Sequence, residues 1–233
     1  MIVGFIPARG GSKRLPRKNI RTFAGKPLIA HTIAQALAAR CMDRCVVSTD
    51  DDEIAGIAAR HGAEVVWRPA ELATDVSPTG AAAQHVLAEL AGDDVEAIVT
   101  LQPNCPLRPA GIVDTAVALF RADAADSVVS VTRSAEKGGL LVEGRFTPDY
   151  RPGTRSQDMP ERYYENGVIY VSRASMVRER ADLFGVRITP LVLDSFYARG
   201  DIDTALDFAV AEFLFDRCKD HVPQGLESPG GLA

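Results

Sequence analysis

Short apolar runs alternate with segments of helical periodicity along most of this chain, and that alternation limits the fold more than any other feature of the sequence. The first run, residues 2–6, has no polar alternation, as expected for a strand buried on both faces of a parallel sheet. After Pro27, apolar residues recur at three- and four-residue spacing, which predicts a helix. Further strands are predicted at 45–48, 65–67, 97–101, 127–131, 168–171 and 188–193, and further helices around 54–62, 79–90, 110–120 and 202–213. Thr49 and Asp50 can cap the first of these helices, and the apolar residues that mark the last are Ile202, Leu206, Ala209 and Phe213.

This order of elements predicts a three-layer α/β sandwich with a mostly parallel sheet, joined by right-handed crossovers. Such sheets bind ligands beyond the carboxyl ends of their strands, so the loops that follow the strands matter most for function. With 46% hydrophobic residues, the chain has enough apolar material for one large core. We predict one domain over residues 1–222 and a disordered, Gly- and Pro-rich tail over residues 223–233.

The alternation breaks between residues 133 and 165, where glycines and prolines interrupt the chain. Within this stretch, residues 140–142 and 145–146 can form a hairpin. We therefore predict an inserted arm within the domain.

Composition excludes several classes of protein. No run of about 18 apolar residues is present, and the N-terminal residues do not form a signal peptide, so we expect a cytoplasmic protein with no membrane partner. A net charge of −5 argues against a general affinity for nucleic acid. The four cysteines are scattered and lack the spacing of a zinc site, so we expect free thiols.

Positive charge is concentrated around the loop after the first strand. The first thirty positions contain no acidic residue, and their basic residues are Arg9, Lys13, Arg14, Arg17, Lys18, Arg21 and Lys26. Gly10 and Gly11 let the backbone approach an anion closely, so the loop suits a triphosphate better than the alternative, a solvated basic turn. The loop is neither a Walker A sequence nor G-x-G-x-x-G, which weakens an ATPase or dehydrogenase interpretation.

Seven strings of residues, in order along nearly the whole chain, resemble those of the acylneuraminate cytidylyltransferases, also called CMP-sialic acid synthetases. They are ARGGSKRLPRKN (8–19), GKPL (25–28), VSTD (47–50), RPAEL (68–72), LQPNCPLR (101–108), NGVIY (166–170) and DIDT (201–204). The resemblance implies a Rossmann-like nucleotidyltransferase sheet with a dimerisation arm, and hence a homodimer in which Lys137 or Arg155 acts across the interface. It also implies that the partners are CTP and a nine-carbon, sialic-acid-like sugar acid.

The same resemblance assigns roles residue by residue. The nucleotide-binding residues would be Ala8, Arg9, Gly10, Ser12, Lys18, Asn19 and Arg68. Arg9 and Lys18 would bind the triphosphate and, with Asp203, form the catalytic set, whereas Arg68 would belong to the cytosine pocket. The acceptor-binding residues would be Gln102, Arg108, Arg155 and Asn166. Two alternatives stay open: the Gln102 amide can bond its own loop, and Arg108 can brace its helix.

Two aspartates form the candidate metal site. If the segment is extended, Asp201 and Asp203 point to the same side and can share one Mg²⁺, with phosphate oxygens and water completing the ligands. The alternative is that Asp203 caps the last helix. Asp50 is a weaker third ligand candidate.

The expected reaction is an in-line displacement at the α-phosphorus, in which the sugar 2-hydroxyl attacks and pyrophosphate leaves toward Arg9 and Lys18. None of the four histidines is placed as a general base, so we expect the metal to activate the hydroxyl. Cys105 has no partner in a nucleophile pattern and is expected to be packed.

The sequence leaves alternatives for the identity of the acceptor and for the type of activity. Arg14 and Arg17 resemble the pseudaminic branch of the family more than the neuraminic one, and residues 163–165 stand where an arginine precedes Asn-Gly in other members. An eight-carbon Kdo acceptor, another sugar nucleotidyltransferase reaction, and a CTP-binding module without turnover are the other hypotheses.

Overall fold

The structure is a computed structural model that describes residues 1–218. The predicted disordered tail, 223–233, and the last four residues of the predicted domain lie outside the described residues.

Eleven strands and seven helices make up the described part of the chain. The strands are β1 (Ile2–Pro7), β2 (Thr22–Phe23), β3 (Lys26–Pro27), β4 (Arg44–Thr49), β5 (Glu64–Trp67), β6 (Ala97–Thr100), β7 (Ser127–Ser134), β8 (Gly139–Val142), β9 (Arg145–Pro148), β10 (Arg162–Arg173) and β11 (Ile188–Val192). The helices are α1 (Leu28–Leu37), α2 (Asp52–Arg60), α3 (Thr79–Glu89), α4 (Ile112–Ala122), α5 (Ala174–Arg180), α6 (Ser195–Ala198) and α7 (Ala205–Cys218). The sequence pattern missed the two short helices α5 and α6.

Seven strands form one central sheet in the order β11-β7-β10-β6-β1-β4-β5. All neighbouring pairs are parallel except those of β10, which runs antiparallel to both β6 and β7. The predicted mostly parallel α/β sheet is therefore confirmed. The reversal of β10 was not predicted, because periodicity shows that a strand exists but does not show its direction.

Side chains of β1 show how the three layers are built. Ile2 and Ile6 pack in an apolar cluster with α1, α2 and α4, whereas Val3 and Phe5 pack in a second cluster with α3 and α5. All four side chains are fully buried, as the unbroken apolar run predicted. Helices therefore cover both faces of the sheet.

A third apolar cluster attaches α7 to the loop after β1. Its buried members are Leu15, Phe23, Leu28, Ile202, Phe208 and Ala211. A helix near the C-terminus was predicted correctly, but the prediction of its inward-facing residues was wrong, because Leu206 and Phe213 are 73% and 59% exposed. Ile202 belongs to the segment before the helix, and the cluster holds that segment against the basic loop.

The arm emerges from the main sheet. Strands β7 and β10 continue the sheet as far as the pair Ser134 and Arg162, and the hairpin β8–β9 follows its predicted position. Glu143 and Gly144 turn the hairpin with φ angles of 49° and 76°, as a two-residue turn of this kind requires. The resumed strand is longer than predicted because a bulge between Glu165 and Tyr170 joins its two halves.

None of the helices in the described residues is long and apolar enough to cross a membrane.

Two helical glycines differ in the space around them, which gives a test of the packing of α3 on α5. A Cβ at Gly80 in α3 would lie 2.1 Å from the Ala181 carbonyl oxygen, whereas at Gly56 in α2 it would meet only the mobile end of Arg60 at 3.4 Å. We expect Gly80→Ala to lower the free energy of unfolding by about 1–3 kcal/mol. Gly56→Ala should raise it by about 0.5–1 kcal/mol. Urea unfolding measures both, and equal effects would contradict the close packing of α3 on α5.

Candidate functional site

A cleft of about 510 Å³ opens where the loop after β1 faces the loop after β6. It is lined by Pro7, Arg9, Gly11, Ser12, Lys13, Arg14, Lys18, Asn19, Asp75, Gln102, Pro103, Asn104 and Asp203. Four segments that are distant in sequence thus meet at the carboxyl edge of the parallel strands, the place that the fold favours for ligands. The four basic residues in the lining face two carboxylates, so the cleft is suited to an anion.

The basic loop is held in shape by contacts that the sequence did not show. Arg17 adopts a left-handed backbone conformation with φ of 59°, and its guanidinium pairs with Asp51 at 2.6 Å and with Glu53. The Asn19 amide donates a hydrogen bond to the Arg9 carbonyl at 3.1 Å. The Arg17 ion pairs fix the loop to the N-terminal end of α2, and the Asn19 hydrogen bond connects two parts of the loop itself. Arg17 and Asn19 therefore have structural roles.

Asp51 also caps α2, so the expectation that residues 49–50 cap this helix was wrong. Its carboxylate accepts hydrogen bonds from the backbone N–H groups of Glu53 and Ile54, each at 3.0 Å. Burial raises the pKa of Asp51, but these N–H groups and Arg17 lower it more, so that its pKa lies below the ordinary value. The capping carboxylate is therefore ionised at neutral pH.

The adjacent glycines of the basic loop, Gly10 and Gly11, have different roles. A Cβ on Gly10 would lie 2.6 Å from the Asp51 carboxylate, and the Gly10 N–H is already bonded to Asp50 at 2.9 Å. Gly11 has open space around it and lines the cleft. Gly10 thus permits close packing of the loop, whereas Gly11 gives a ligand access to the backbone.

Ion pairs occupy the basic residues of the cleft. Asp75 pairs with Arg9 at 2.8 Å and with Lys13, and Asp203 pairs with Arg14 at 2.8 Å and with Lys18 at 3.3 Å. Sequence reasoning missed Asp75, which stands three residues beyond the RPAEL string. Two carboxylates therefore share four cations.

The segment 201–203 places its carboxylates between two openings. Ile202 is fully buried, its N–H bonds to the Asn104 carbonyl at 2.9 Å, and the aspartates on either side of it line different spaces. Burial raises the pKa of Asp201, and the nearby Asp203 carboxylate raises it further. Two neighbouring carboxylates with hard oxygen donors can hold a divalent cation. Within residues 1–218, no third acidic, His or Cys side chain completes a cluster with them.

The last helix has a cap of its own, so the alternative role for Asp203 was wrong. The Thr204 hydroxyl accepts from the Asp207 N–H at 3.2 Å, and the Asp207 carboxylate accepts from the N–H groups of Asp203 and Thr204 at 3.1 and 2.7 Å. This reciprocal arrangement is a capping box. The Asp203 side chain is left facing the cleft.

A smaller chamber of about 230 Å³ adjoins the cleft and shares Gln102 and Asn104 with it. Its lining is Gln102, Asn104, Tyr164, Glu165, Asn166, Gly167, Tyr170, Ala198 and Asp201. The Tyr170 hydroxyl donates to Glu165, and burial together with this carboxylate raises the tyrosine pKa. The lining contains no Lys or Arg, so the chamber is suited to a neutral, hydrogen-bonding group. Gln102 lies where the two spaces join.

Arg108 does not lie where an acceptor ligand is needed, which corrects that expectation. It is 5% exposed, and its guanidinium donates to the Val168 and Gln102 carbonyls at 2.8 and 2.7 Å. It also donates to side chains of α1, Thr32 and Gln35. Burial lowers its pKa to about 10. Arg108 is a brace between β10, the loop after β6 and α1.

The Asn166 side chain, like that of Arg108, forms hydrogen bonds within the protein. Its amide donates to the Thr132 hydroxyl at 2.9 Å and accepts from the Ser130 hydroxyl at 2.6 Å and from the Val168 N–H at 3.1 Å. It lies on the bulge of β10, where Gly167 has φ of 73°. Asn166 therefore shapes the wall of the chamber, and the structure leaves little of its amide for a substrate.

Three other predicted site residues lie outside the cleft lining. Ala8 is fully buried, and Arg68 is held by the Ser48 hydroxyl at 3.0 Å and its carbonyl at 2.9 Å, with its pKa lowered by burial. Arg155 lies on the arm and pairs with Asp158 at 2.7 Å. Ala8 and Arg68 support the strand ends beneath the site, and Arg155 lines neither the cleft nor the chamber.

No described histidine lines the cleft or the chamber. His31 bonds the Phe23 carbonyl, and burial lowers its pKa. Cys105 is buried, and burial followed by the charge of Asp201 raises its pKa to about 12, so its thiol stays protonated. The expectation that Cys105 is packed is confirmed.

Arg108 gives a test that separates bracing from acceptor binding. Because Lys cannot reproduce four hydrogen bonds from a planar guanidinium, Arg108→Lys should lower the free energy of unfolding by about 2–3 kcal/mol. The exposed Arg155→Lys, a matched control, should change it by less than about 0.5 kcal/mol. Urea unfolding measures both. A stable Arg108→Lys protein that has lost only acceptor binding would contradict the bracing role.

Comparison with known proteins shows the family of the chain. Residues 3–194 match the family described as Cytidylyltransferase. The CMP-N,N'-diacetyllegionaminic acid synthase of Legionella pneumophila is 37% identical over 92% of this chain and 96% of that protein. The pseudaminic acid cytidylyltransferase of Campylobacter jejuni is 31% identical over 90% of this chain and 94% of that protein.

Among solved structures, CMP:2-keto-3-deoxy-manno-octonic acid synthetase complexed with CTP matches with a TM-score of 0.73 over 93% of this chain and 98% of that chain, at 20% identity. At that identity the likeness concerns the fold alone. The family match begins within β1 and ends just after β11, so it includes the loop after β1 and residues 102–104 of the cleft but not Asp203. The chain belongs to the cytidylyltransferase family.

Proposed function

We propose that this protein is a cytoplasmic cytidylyltransferase that transfers CMP from CTP to the 2-hydroxyl of a nine-carbon 2-keto sugar acid and releases pyrophosphate. The observation that carries the proposal is the junction of two unlike spaces. A cleft with four basic residues meets a chamber without Lys or Arg at Gln102 and Asn104, with Asp201 and Asp203 between them. That arrangement suits a triphosphate on one side and the hydroxyl groups of a sugar on the other, while the acceptor's carboxylate would need a cation from outside the chamber lining.

The basic cleft would bind the nucleotide. Arg9 and Lys18 lie on opposite parts of the loop and can neutralise the charge that develops on the departing pyrophosphate. Ser12 lines the same cleft and can donate its hydroxyl to a phosphate oxygen. Arg68 supports this side of the site from beneath, where it holds Ser48 at the end of β4. In this proposal it affects the cytosine pocket through that strand end.

The aspartate pair fits a Mg²⁺ ion. Burial raises the Asp201 pKa and the nearby Asp203 carboxylate raises it further, and a divalent cation would relieve the repulsion between the two carboxylates. Asp201 and Asp203 would hold the ion, with water and phosphate oxygens as further ligands. When bound, Mg²⁺ supplies charge neutralisation at the phosphates and a lower pKa for a hydroxyl that it contacts. Lys18 and Arg14, which now pair with Asp203, keep this carboxylate oriented toward the cleft.

The chain's own residues account for positioning in the displacement. The bond that forms joins the sugar 2-oxygen to the α-phosphorus, and the bond that breaks joins that phosphorus to the bridging oxygen of pyrophosphate. Gln102, at the junction, can orient the acceptor through its amide. Arg9 and Lys18 face the leaving group. No described histidine is placed to remove the hydroxyl proton.

The relatives narrow the acceptor. The legionaminic acid synthase is 37% identical to this chain and the pseudaminic acid cytidylyltransferase 31%, so a legionaminic-type acid is the first acceptor to test. Both figures refer to nearly full-length matches. The weak likeness of Arg14 and Arg17 to the pseudaminic branch does not outweigh this difference.

Pyrophosphate release with CTP and Mg²⁺ tests the proposal, with legionaminic, pseudaminic and neuraminic acids and Kdo as separate acceptors. We expect turnover with a nine-carbon acid and little with Kdo. Turnover with Kdo alone would favour the eight-carbon alternative. Tight CTP binding without turnover across the panel would favour a binding module.

Asp203 provides the sharpest variant for catalysis. Because Asn keeps the size but loses the charge, Asp203→Asn should lower kcat at least about 100-fold. The melting temperature should stay within about 2 °C, since Thr204 and Asp207 cap α7 without the Asp203 side chain. Asp216→Asn, an exposed change on the same helix, should leave both unchanged. Near-normal turnover by Asp203→Asn would show that the metal assignment is wrong.

We also propose that the arm forms a homodimer contact. Its hairpin exposes Leu140, Leu141, Val142 and Phe146, with Leu141 79% exposed, and contiguous apolar patches of this kind mark protein interfaces. In a dimer, Arg155 could reach the partner's chamber, which it does not approach within its own subunit. A second copy of the chain is the occupant that the family resemblance implies.

The dimer proposal predicts a change in mass. The double variant Leu141→Asp, Phe146→Asp should elute as a monomer, because two charges would be buried in the contact. Val186→Asp, at another highly exposed apolar position outside the arm, should keep the wild-type mass. Size-exclusion chromatography with light scattering measures this. A wild-type protein that is monomeric and fully active would refute the proposal.

A further inference from the structure

Asp75 lies in the part of the cleft that the triphosphate would need. Its two carboxylate oxygens are divided between two cations: one is 2.8 Å from Arg9 Nη2, and the other contacts Lys13 Nζ. Lys13 and Arg9 hold the Asp75 pKa below its ordinary value, so the carboxylate is charged at neutral pH. A carboxylate of the protein itself is therefore paired with two of the four basic residues of the cleft.

This carboxylate belongs to a loop with few other ties to the cleft. The loop spans residues 73–78, between a short 3-10 helix (Ala70–Leu72) and α3. Its internal hydrogen bonds join Thr74 to Ser77 at 2.6 Å and Ser77 to the Glu71 carbonyl at 2.9 Å. Toward the basic loop, Arg9 contacts both the Ala73 carbonyl at 3.5 Å and Asp75. Arg9 thus connects this loop to the basic loop, and Arg9 is also a side chain that the nucleotide would bind.

The ion pairs of Asp75 are of the kind that a ligand can replace. Arg9 and Asp75 are 33% and 39% exposed, and Lys13 is 81% exposed, so water screens both pairs. A phosphate group offers more charge and more acceptor oxygens to the same cations than one carboxylate does. Replacement of Asp75 by a phosphate at these cations is therefore favourable. The loss of the two Asp75 ion pairs nevertheless costs free energy, which lowers the affinity for the nucleotide.

We propose that Asp75 is a displaceable counter-ion that holds Arg9 and Lys13 in place when no nucleotide is bound, yields them to the phosphates of CTP, and competes with pyrophosphate for them when the product leaves. This inference rests on the proposed function, because it takes the basic cleft as the triphosphate site. Asp75 acts on the substrate through the two cations, so it is a positioning residue. The same competition weakens pyrophosphate binding and thereby favours product release.

Pyrophosphate binding tests the inference without an acceptor. Isothermal titration without divalent metal should give a Kd for Asp75→Asn that is about threefold to tenfold lower than that of the wild type, as expected when one or two exposed ion pairs no longer compete. Asp75→Glu keeps the carboxylate and should restore wild-type affinity. In turnover assays, pyrophosphate should inhibit Asp75→Asn at correspondingly lower concentration, with the acceptor KM unchanged.

Asp94→Asn is the matched control. It removes the same charge from an exposed position before β6, at the opposite edge of the sheet, and should leave the Kd unchanged. The inference fails if Asp75→Asn binds pyrophosphate as the wild type does or more weakly, or if Asp94→Asn tightens binding equally. If the wild type binds neither pyrophosphate nor CTP, the proposed function fails with it.

Discussion

The apolar cluster that contains both Leu15 and Ile202 is the constraint on which the rest of the site depends. Leu15 lies in the middle of the basic loop, and Ile202 stands between the two aspartates at the other end of the chain. Both side chains are buried, so the hydrophobic effect holds together two strongly charged segments that water would otherwise keep apart. The polar contacts of Lys18 with the Ile202 carbonyl and with Asp203 then set their orientation.

The charges that result are divided between two adjoining spaces. In the cleft, each of two carboxylates pairs with two basic residues, so the positive charge is ordered before a ligand arrives. In the chamber, Glu165 and Asp201 line a wall without Lys or Arg. The basic cleft is matched to the charge on the departing pyrophosphate, whereas the chamber is matched to the neutral hydroxyl groups of the acceptor.

Much of the fold could be predicted from the sequence. Unbroken apolar runs gave the central strands, since strands covered on both faces have no polar side, and the glycines at 138–144 indicated the arm hairpin. The direction of β10 could not be predicted, because the chain returns through the arm. The prediction of which residues of α7 face inward was wrong, because Phe208 and Ala211 pack in the third apolar cluster, whereas Leu206 is exposed.

The site was predicted less completely, because its side chains serve two purposes. The basic loop, Gln102 and Asp203 do meet in one cleft, as their positions after strands suggested. Arg108 and Asn166 are instead used for hydrogen bonds between elements, which depend on tertiary contacts and leave no local pattern. Asp75 was missed because a single carboxylate in a loop has no signature until Arg9 and Lys13 are seen to face it.

A crystal structure of the protein with CTP and Mg²⁺ would show whether the basic loop binds the triphosphate. We expect the triphosphate in the cleft, in contact with Arg9 and Lys18, and the cation on Asp201 and Asp203. A nucleotide bound elsewhere, for example in the groove beside His85 and Arg178, with the basic loop unengaged, would contradict this expectation.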